Sequence, residues 1–191
     1  MNNAHVSGGD AAEDYDFAYM VKRSLFGDGC AAVVVSAESE SDAPGKWAVQ
    51  GNLSYLTENN LDLVRVFGNH KGLDGFISPE VPKTIKKNIL PFVNDLLEEN
   101  AFANQNEVDL IGVHPGGPAI LRAVESGLGL GDNQLKQSWD VLRDNGNMSS
   151  ATIWFVLDRL LKQATNDDSR SLMAIAFGPG INIDGVILKK C

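Results

Sequence analysis

Apolar positions along this chain follow two rhythms, and each change of rhythm marks an element. The first strong signal is "GDGCAAVVVSA", a glycine turn leading into a continuous Val-rich run. A run of that kind predicts a buried strand. "ESESDAPGK" reads as a loop, and "WAVQGNLSYL" alternates as a half-buried strand does. Between Glu58 and Ile77 the pattern is ambiguous. "LDLVRVF" can be strand, with Gly68, Gly72 and Gly75 then punctuating a loop. After Pro79 and Pro82 the period turns helical, with Ile85, Ile89, Phe92, Val93, Leu96 and Leu97 on one stripe and Pro91 predicting a kink. "VDLIGVH" is a short buried strand. Three amphipathic helices follow, over Pro118 to Leu128, Gln134 to Arg143 and Met148 to Gln163, the first stopped by Gly129. "SLMAIAFG" and "INIDGVILKK" close the chain as two strands about a "GPG" turn. A short helix is expected at 18–26, and residues 1–17 read as a poorly ordered lead-in to a domain over 18–191. The mixed order of strands and helices predicts an α/β class, with helices layered on a sheet.

Composition narrows the functions. The 191 residues are 43% apolar and 21% charged, ordinary for a globular protein. The formal net charge of −9 argues against a nucleic-acid or anionic-membrane partner, although it leaves room for a local basic pocket. No apolar run reaches membrane-spanning length, and the polar, acidic N-terminus is not a signal peptide. Cys30 and Cys191 form neither a metal pattern nor a disulfide framework. A cytoplasmic setting with no metal and no cofactor is therefore expected.

The chemistry centres on "GVHPGGPAIL" and "GNMSSA". His114 ends an apolar strand, between residues that restrict or free the backbone. It reads either as a satisfied core histidine or as a side chain delivered to a cavity. Pro115 and Pro118 would stiffen the turn, while Gly116 and Gly117 leave room for a ligand. Asn147 reads either as a plain helix cap or as an amide held beside a positive helix end. Together the two side chains can offer two N–H donors to one thioester carbonyl oxygen.

Four segments in order, "SLFGDGCAAVVV", "VHPGGPAIL", "GNMSSA" and "AFGPGINIDGVIL", resemble the C-terminal half of type III polyketide synthases, the chalcone and stilbene synthase group. The likeness runs from about Ser24 to Lys189, and the 33-residue spacing of His114 and Asn147 fits. A ketoacyl synthase is the nearest alternative, but its histidine usually opens an "HQAN"-like motif. The resemblance implies half of a thiolase fold. It implies a polyketide acyltransferase that condenses malonyl-CoA, with loss of carbon dioxide, onto a starter acyl-CoA. His114 and Asn147 correspond to two members of the family's catalytic triad.

By the same resemblance Phe26 corresponds to a gatekeeper between CoA tunnel and cavity, although alone it reads as a core aromatic. Ser149 corresponds to a cavity-lining position and Ala119 to one near the CoA tunnel. Phe177, Gly178 and Pro179 belong to the loop that shapes the cavity floor. There Ala176 replaces the first glycine of the family's "GFGPG". A second gatekeeper phenylalanine should fall near "LDGFISPEVP", where Gly75 occupies its place with Phe76 beside it. The nucleophilic cysteine of the family precedes "LFGDG" and has no counterpart here. Cys30 is expected to be a buried, inert thiol and Cys191 an exposed one. The chain is thus expected to be a fragment that needs a cysteine-bearing N-terminal half as partner, within what is generally a homodimer. The alternative is a non-catalytic half-domain that pairs without chemistry.

Overall fold

The computed structural model describes residues 24–37, 46–70 and 72–191. The expected lead-in over 1–17 and most of the helix over 18–26 lie outside the described residues. Among the described residues, beyond the helical Ser24 and Leu25, six strands and four α-helices follow one another. These are β1 (Trp47–Leu56), β2 (Val64–Asn69), β3 (Gly72–Ile77), α1 (Val81–Glu99), β4 (Leu110–Val113), α2 (Pro118–Leu128), α3 (Lys136–Asn145), α4 (Thr152–Ala164), β5 (Ser171–Gly178) and β6 (Asn182–Lys190). Short 3₁₀ turns occupy Gln105–Glu107 and Ser149–Ala151.

The main sheet has the order β1-β6-β5-β4. β4 and β5 run parallel, and the other neighbours are antiparallel. The parallel pair needs a long crossover, which the three helices between β4 and β5 supply. Alternation along β5 divides the interior in two. Met173 and Ile175 join the larger core with α1, α2 and Ile183 and Ile187 of β6. Leu172 and Ala174 face the other way and pack with Val156, Leu157 and Leu160 of α4. β5 is buried because both of its faces are covered.

Close packing of the layers relies on two glycines. A Cβ at Gly112 in β4 would lie 2.7 Å from Leu160 of α4, and one at Gly185 in β6 would lie 2.6 Å from Leu96 of α1. The helices follow the expected stripes. α1 buries Ile85, Ile89, Phe92, Val93, Leu96 and Leu97, and it continues through Pro91, which lies on its exposed side. α2 starts with proline at its first turn and ends at Gly129 in the left-handed region, as the sequence predicts.

Several expectations are corrected. The Val-rich run after "GDG" is not a buried strand. Residues 27–37 carry no regular structure, and Val33, Val34 and Val35 are exposed, Val34 at 96%. An apolar run becomes a strand only where another backbone takes up its N–H and C=O groups, and none of the described strands pairs with it. Cys30 within this run is accordingly exposed rather than buried, and Cys191 is half-buried. The glycines at 68, 72 and 75 do not punctuate a loop but sit in the β2–β3 hairpin, where Gly68 pairs with Leu73 and Gly75 with Val66. Finally, α3 and α4 begin a few residues later than their apolar periodicity suggests, since 3₁₀ and turn geometry occupies their entries.

Candidate active site

His114 directly follows β4. Its backbone N–H donates to the Ile175 carbonyl at 2.8 Å, extending the β4–β5 ladder by one residue. The chain then turns sharply, with the Gly116 N–H donating back to the His114 carbonyl at 2.9 Å. Pro115 is buried and Gly116 partly open. The imidazole lies against this turn. A Cβ on Gly116 would stand 3.7 Å from Cδ2 and 3.8 Å from Nε2 of His114. The side chain is only 8% exposed. Burial lowers its pKa from 6.5 to about 4, because a charged imidazolium loses hydration there. His114 is therefore neutral near pH 7. Among the described residues no protein group hydrogen-bonds either ring nitrogen.

Asn147 sits in the turn between α3 and the 3₁₀ segment and is 6% exposed. Its Oδ1 accepts the Ser149 N–H at 2.9 Å. Its Nδ2 donates to the Gly116 carbonyl at 3.1 Å. The two ends of one amide thus do different work. The oxygen closes a local Asx turn, the cap-like use open to it. The nitrogen faces the histidine turn and keeps one N–H without a protein acceptor among the described residues. The Gly116 peptide is the common point, with the imidazole against its Cα and the amide on its carbonyl.

Phe26 is brought to the same place by backbone pairing. The Asn147 N–H donates to the Leu25 carbonyl at 2.8 Å, and the Gly27 N–H donates to the Asn147 carbonyl at 3.0 Å. This forms a parallel bridge of Phe26 with Asn147. Glycines make the approach possible. A Cβ on Gly27 would lie 2.2 Å from the Asn145 carbonyl oxygen. Gly146 has φ +70°, and a Cβ there would lie 2.9 Å from the Leu25 carbonyl oxygen. Phe26 is 44% exposed, so it is not the core aromatic that its setting in the sequence also allows.

Ser149 is exposed and left-handed, with φ +57°. Ala119 is exposed on the first turn of α2. Next to it, Pro118 borders a cleft of about 340 Å³ shared with Leu25, Trp139, Leu142 and Arg143. Phe177 and Gly178 end β5, and Pro179 leads the turn into β6. Since β4 and β5 are parallel, this turn lies at the same end of the sheet as His114. Pro179 and Gly180 line a second cleft, of about 530 Å³, with Leu61, Val64, Arg65, Val66 and Phe67. The Gly180 N–H donates to the Val64 carbonyl at 3.3 Å and ties the hairpin to the turn.

Two residues of this region were not legible as candidates. Phe67 borders that cleft, whereas Phe76 has its ring under the Arg65 guanidinium at 5.3 Å. The β2–β3 register decides this, and a strand read as a loop conceals it. Thr152, wholly buried, touches the Asn147 turn through its hydroxyl. A hydroxyl five residues beyond a candidate asparagine was its only trace in the sequence. Among the described residues no helix is long and apolar enough to cross a membrane.

A sheet covered by helices on both faces, with a buried histidine at the end of β4 and a buried asparagine bonded to the turn that follows it, is the arrangement of half of a thiolase-like fold. The comparisons agree. Residues 56–191 match the model of the chalcone and stilbene synthases, C-terminal domain. The chain is 37% identical over 175 residues to the alpha-pyrone synthesis polyketide synthase-like Pks18 of Mycobacterium tuberculosis, covering 90% of this chain and 44% of that protein. Polyketide synthase 37 of Dictyostelium discoideum is 32% identical over 176 residues, which are 6% of its length. The crystal structure of PKS-I from the brown alga Ectocarpus siliculosus superposes with a TM-score of 0.85 at 32% identity, over 90% of this chain and 47% of that one. A type III pentaketide synthase from Neurospora crassa gives 0.69 at 29% identity, over 78% and 43%. This chain belongs to the chalcone and stilbene synthase family, the type III polyketide synthases, and carries its C-terminal half. It spans less than half the length of these relatives.

Proposed function

We propose that this chain supplies the oxyanion-binding half of a type III polyketide synthase active site. In this reading malonyl-CoA loses its carboxylate as carbon dioxide. The C–C bond breaks, and its electron pair moves through the α-carbon onto the thioester oxygen as an enolate. The Nε2–H of neutral His114 and the unused Nδ2–H of Asn147 donate to that oxygen. The enolate carbon then attacks the acyl thioester of a cysteine from the N-terminal half of the same fold. The new C–C bond forms as the cysteine thiolate leaves. Two preorganised donors in a site shielded from water are worth a few kcal/mol each, about 10²–10³ in rate.

The observation that carries this reading is the meeting of the imidazole and the Asn147 amide at the Gly116 peptide. Burial supports it as well, because a histidine held neutral donates without carrying its own charge. Around this pair, Phe26 and Ser149 serve as walls of the substrate passage, and Ala119 stands near the CoA entrance. Phe177, Gly178 and Pro179 shape the cavity floor. Phe67, beside Pro179 and Gly180, is a better candidate than Phe76 for the second gate. Family membership supports CoA thioesters as the substrates and a homodimer as the form of the complete synthase.

The test is malonyl-CoA decarboxylation by the chain combined with its cysteine-bearing half, compared with His114→Ala and Asn147→Ala. Each substitution should cost about 10²–10³ in kcat. Wild-type rates in both would remove the proposed role. An inactive assembly in every form, the unsubstituted chain included, would favour a half-domain that pairs without chemistry.

A further inference from the structure

We infer that Thr152 is a positioning residue, whose buried hydroxyl holds the turn that aims the side-chain amide of Asn147. The inference rests on the role proposed above for Asn147. Thr152 is wholly buried at the start of α4. Its Oγ1 accepts the Met148 N–H at 2.8 Å and lies 2.8 Å from the Ser149 carbonyl and 3.4 Å from Asn147 Oδ1. A hydroxyl has one proton to give, and the nearer Ser149 carbonyl takes it. Thr152 therefore clips both ends of the Met148–Ser149 unit.

That clip matters because of the conformation it holds. Ser149 has φ +57°, a region that a residue with a side chain enters only when its surroundings insist. With Ser149 so turned, its N–H points to Asn147 Oδ1. The oxygen's position settles which way the amide plane faces. Nδ2 then lies toward the Gly116 carbonyl, which leaves its second N–H for the substrate oxygen. Without the clip, Ser149 can relax to ordinary backbone angles, and the Asn147 amide loses the donor that prevents its rotation. Thr152 touches neither reacting atom and acts through Asn147.

Thr152→Val removes the hydroxyl at nearly constant shape, and Thr152→Ser keeps the hydroxyl but loses a methyl group. In the synthase assembled with its cysteine-bearing half, Val should lower kcat for malonyl-CoA decarboxylation about 10- to 100-fold while KM changes little. Ser should restore most of the rate. In Asn147→Ala the further change Thr152→Val should have almost no effect, because the group it positions is gone. In this chain alone, Val should speed hydrogen exchange at the Met148 N–H and at the Asn147 side-chain amide about 10-fold or more over neighbouring sites.

Wild-type kcat in folded Thr152→Val overturns the inference. So do additive losses in the double variant, or a Ser variant more damaged than Val, which is the mark of simple packing. If Val does not fold, Ser against Ala makes the same comparison, and equal rates in the two overturn the inference. Should Asn147→Ala retain full activity while Thr152→Val loses it, the reading of Asn147 itself has failed. Slow exchange at Met148 and Asn147 in the Val variant would show instead that the clip is not what holds the turn.

Discussion

Replacing His114 by glutamine should change how the stability of this chain depends on acid. The imidazole is buried at the end of β4, and its pKa falls from 6.5 to about 4 through lost hydration alone. In the unfolded chain the same group takes a proton below about 6.5. Between these limits the unfolded state binds more protons than the folded one, so stability falls as the pH drops through the window. The contribution is complete above pH 6.5 and lost by about pH 4. Each pH unit of difference corresponds to about 1.4 kcal/mol, so a fall from 6.5 to about 4 amounts to about 3 kcal/mol. That is a sizeable part of an ordinary domain's 5–15 kcal/mol, roughly a fifth or more. Glutamine carries no titrating proton. The assay is urea unfolding of both proteins at half-unit steps from pH 7.5 to 4, taking the difference between them. Carboxylates and the other histidines cancel in that difference. The wild-type chain should lose about 3 kcal/mol more than His114→Gln across the window. Parallel curves, or a His114 ring resonance titrating near 6.5 by NMR, would show that burial does not set this proton.

Gly146→Ala and Gly129→Ala separate strain from collision. Both glycines have left-handed φ, +70° and +64°, but an added methyl meets the Leu25 carbonyl at Gly146 and open space at Gly129. Gly129→Ala should cost about 1 kcal/mol in denaturant unfolding, and Gly146→Ala clearly more, with loss of the Phe26–Asn147 bridge; equal costs would mean that segment 25–27 is not docked. Ser138→Ala should cost about 1–3 kcal/mol, since the fully buried Ser138 hydroxyl accepts the Val113 N–H at 2.9 Å and alanine orphans that donor. A loss under about 0.5 kcal/mol would mean that water reaches that amide. Gly185→Ala should cost about 1–3 kcal/mol, because the methyl meets Leu96 and Phe92 of α1 within 3 Å. An unchanged melting curve would show that α1 can move off β6 freely.

Where an element's own residues decide its structure, the sequence was readable. Gly129 stops α2 because a left-handed residue there ends the ladder, and the apolar stripe of α1 is the surface it buries. His114 and Asn147 stood out by residue type and setting. Their meeting at Gly116 did not, for it depends on how the β4–β5 ladder and the entry to α4 are brought together. The exposed valines at 33–35 show the converse case. They have every local property of a buried strand, yet a strand is a property of two backbones.

Periodicity and punctuation in the chain determine its class, its helices and its closing hairpin, because each follows from contacts among near neighbours. The motifs determine which family those elements belong to. Tertiary structure alone decides that Phe67 rather than Phe76 borders the cleft, that Phe26 is tied to Asn147, and that Thr152 touches the Asn147 turn. These outcomes depend on strand register, on hydrogen bonds accepted by the carbonyls of distant segments and on the volume that a glycine leaves empty. Such quantities exist only once the layers have packed.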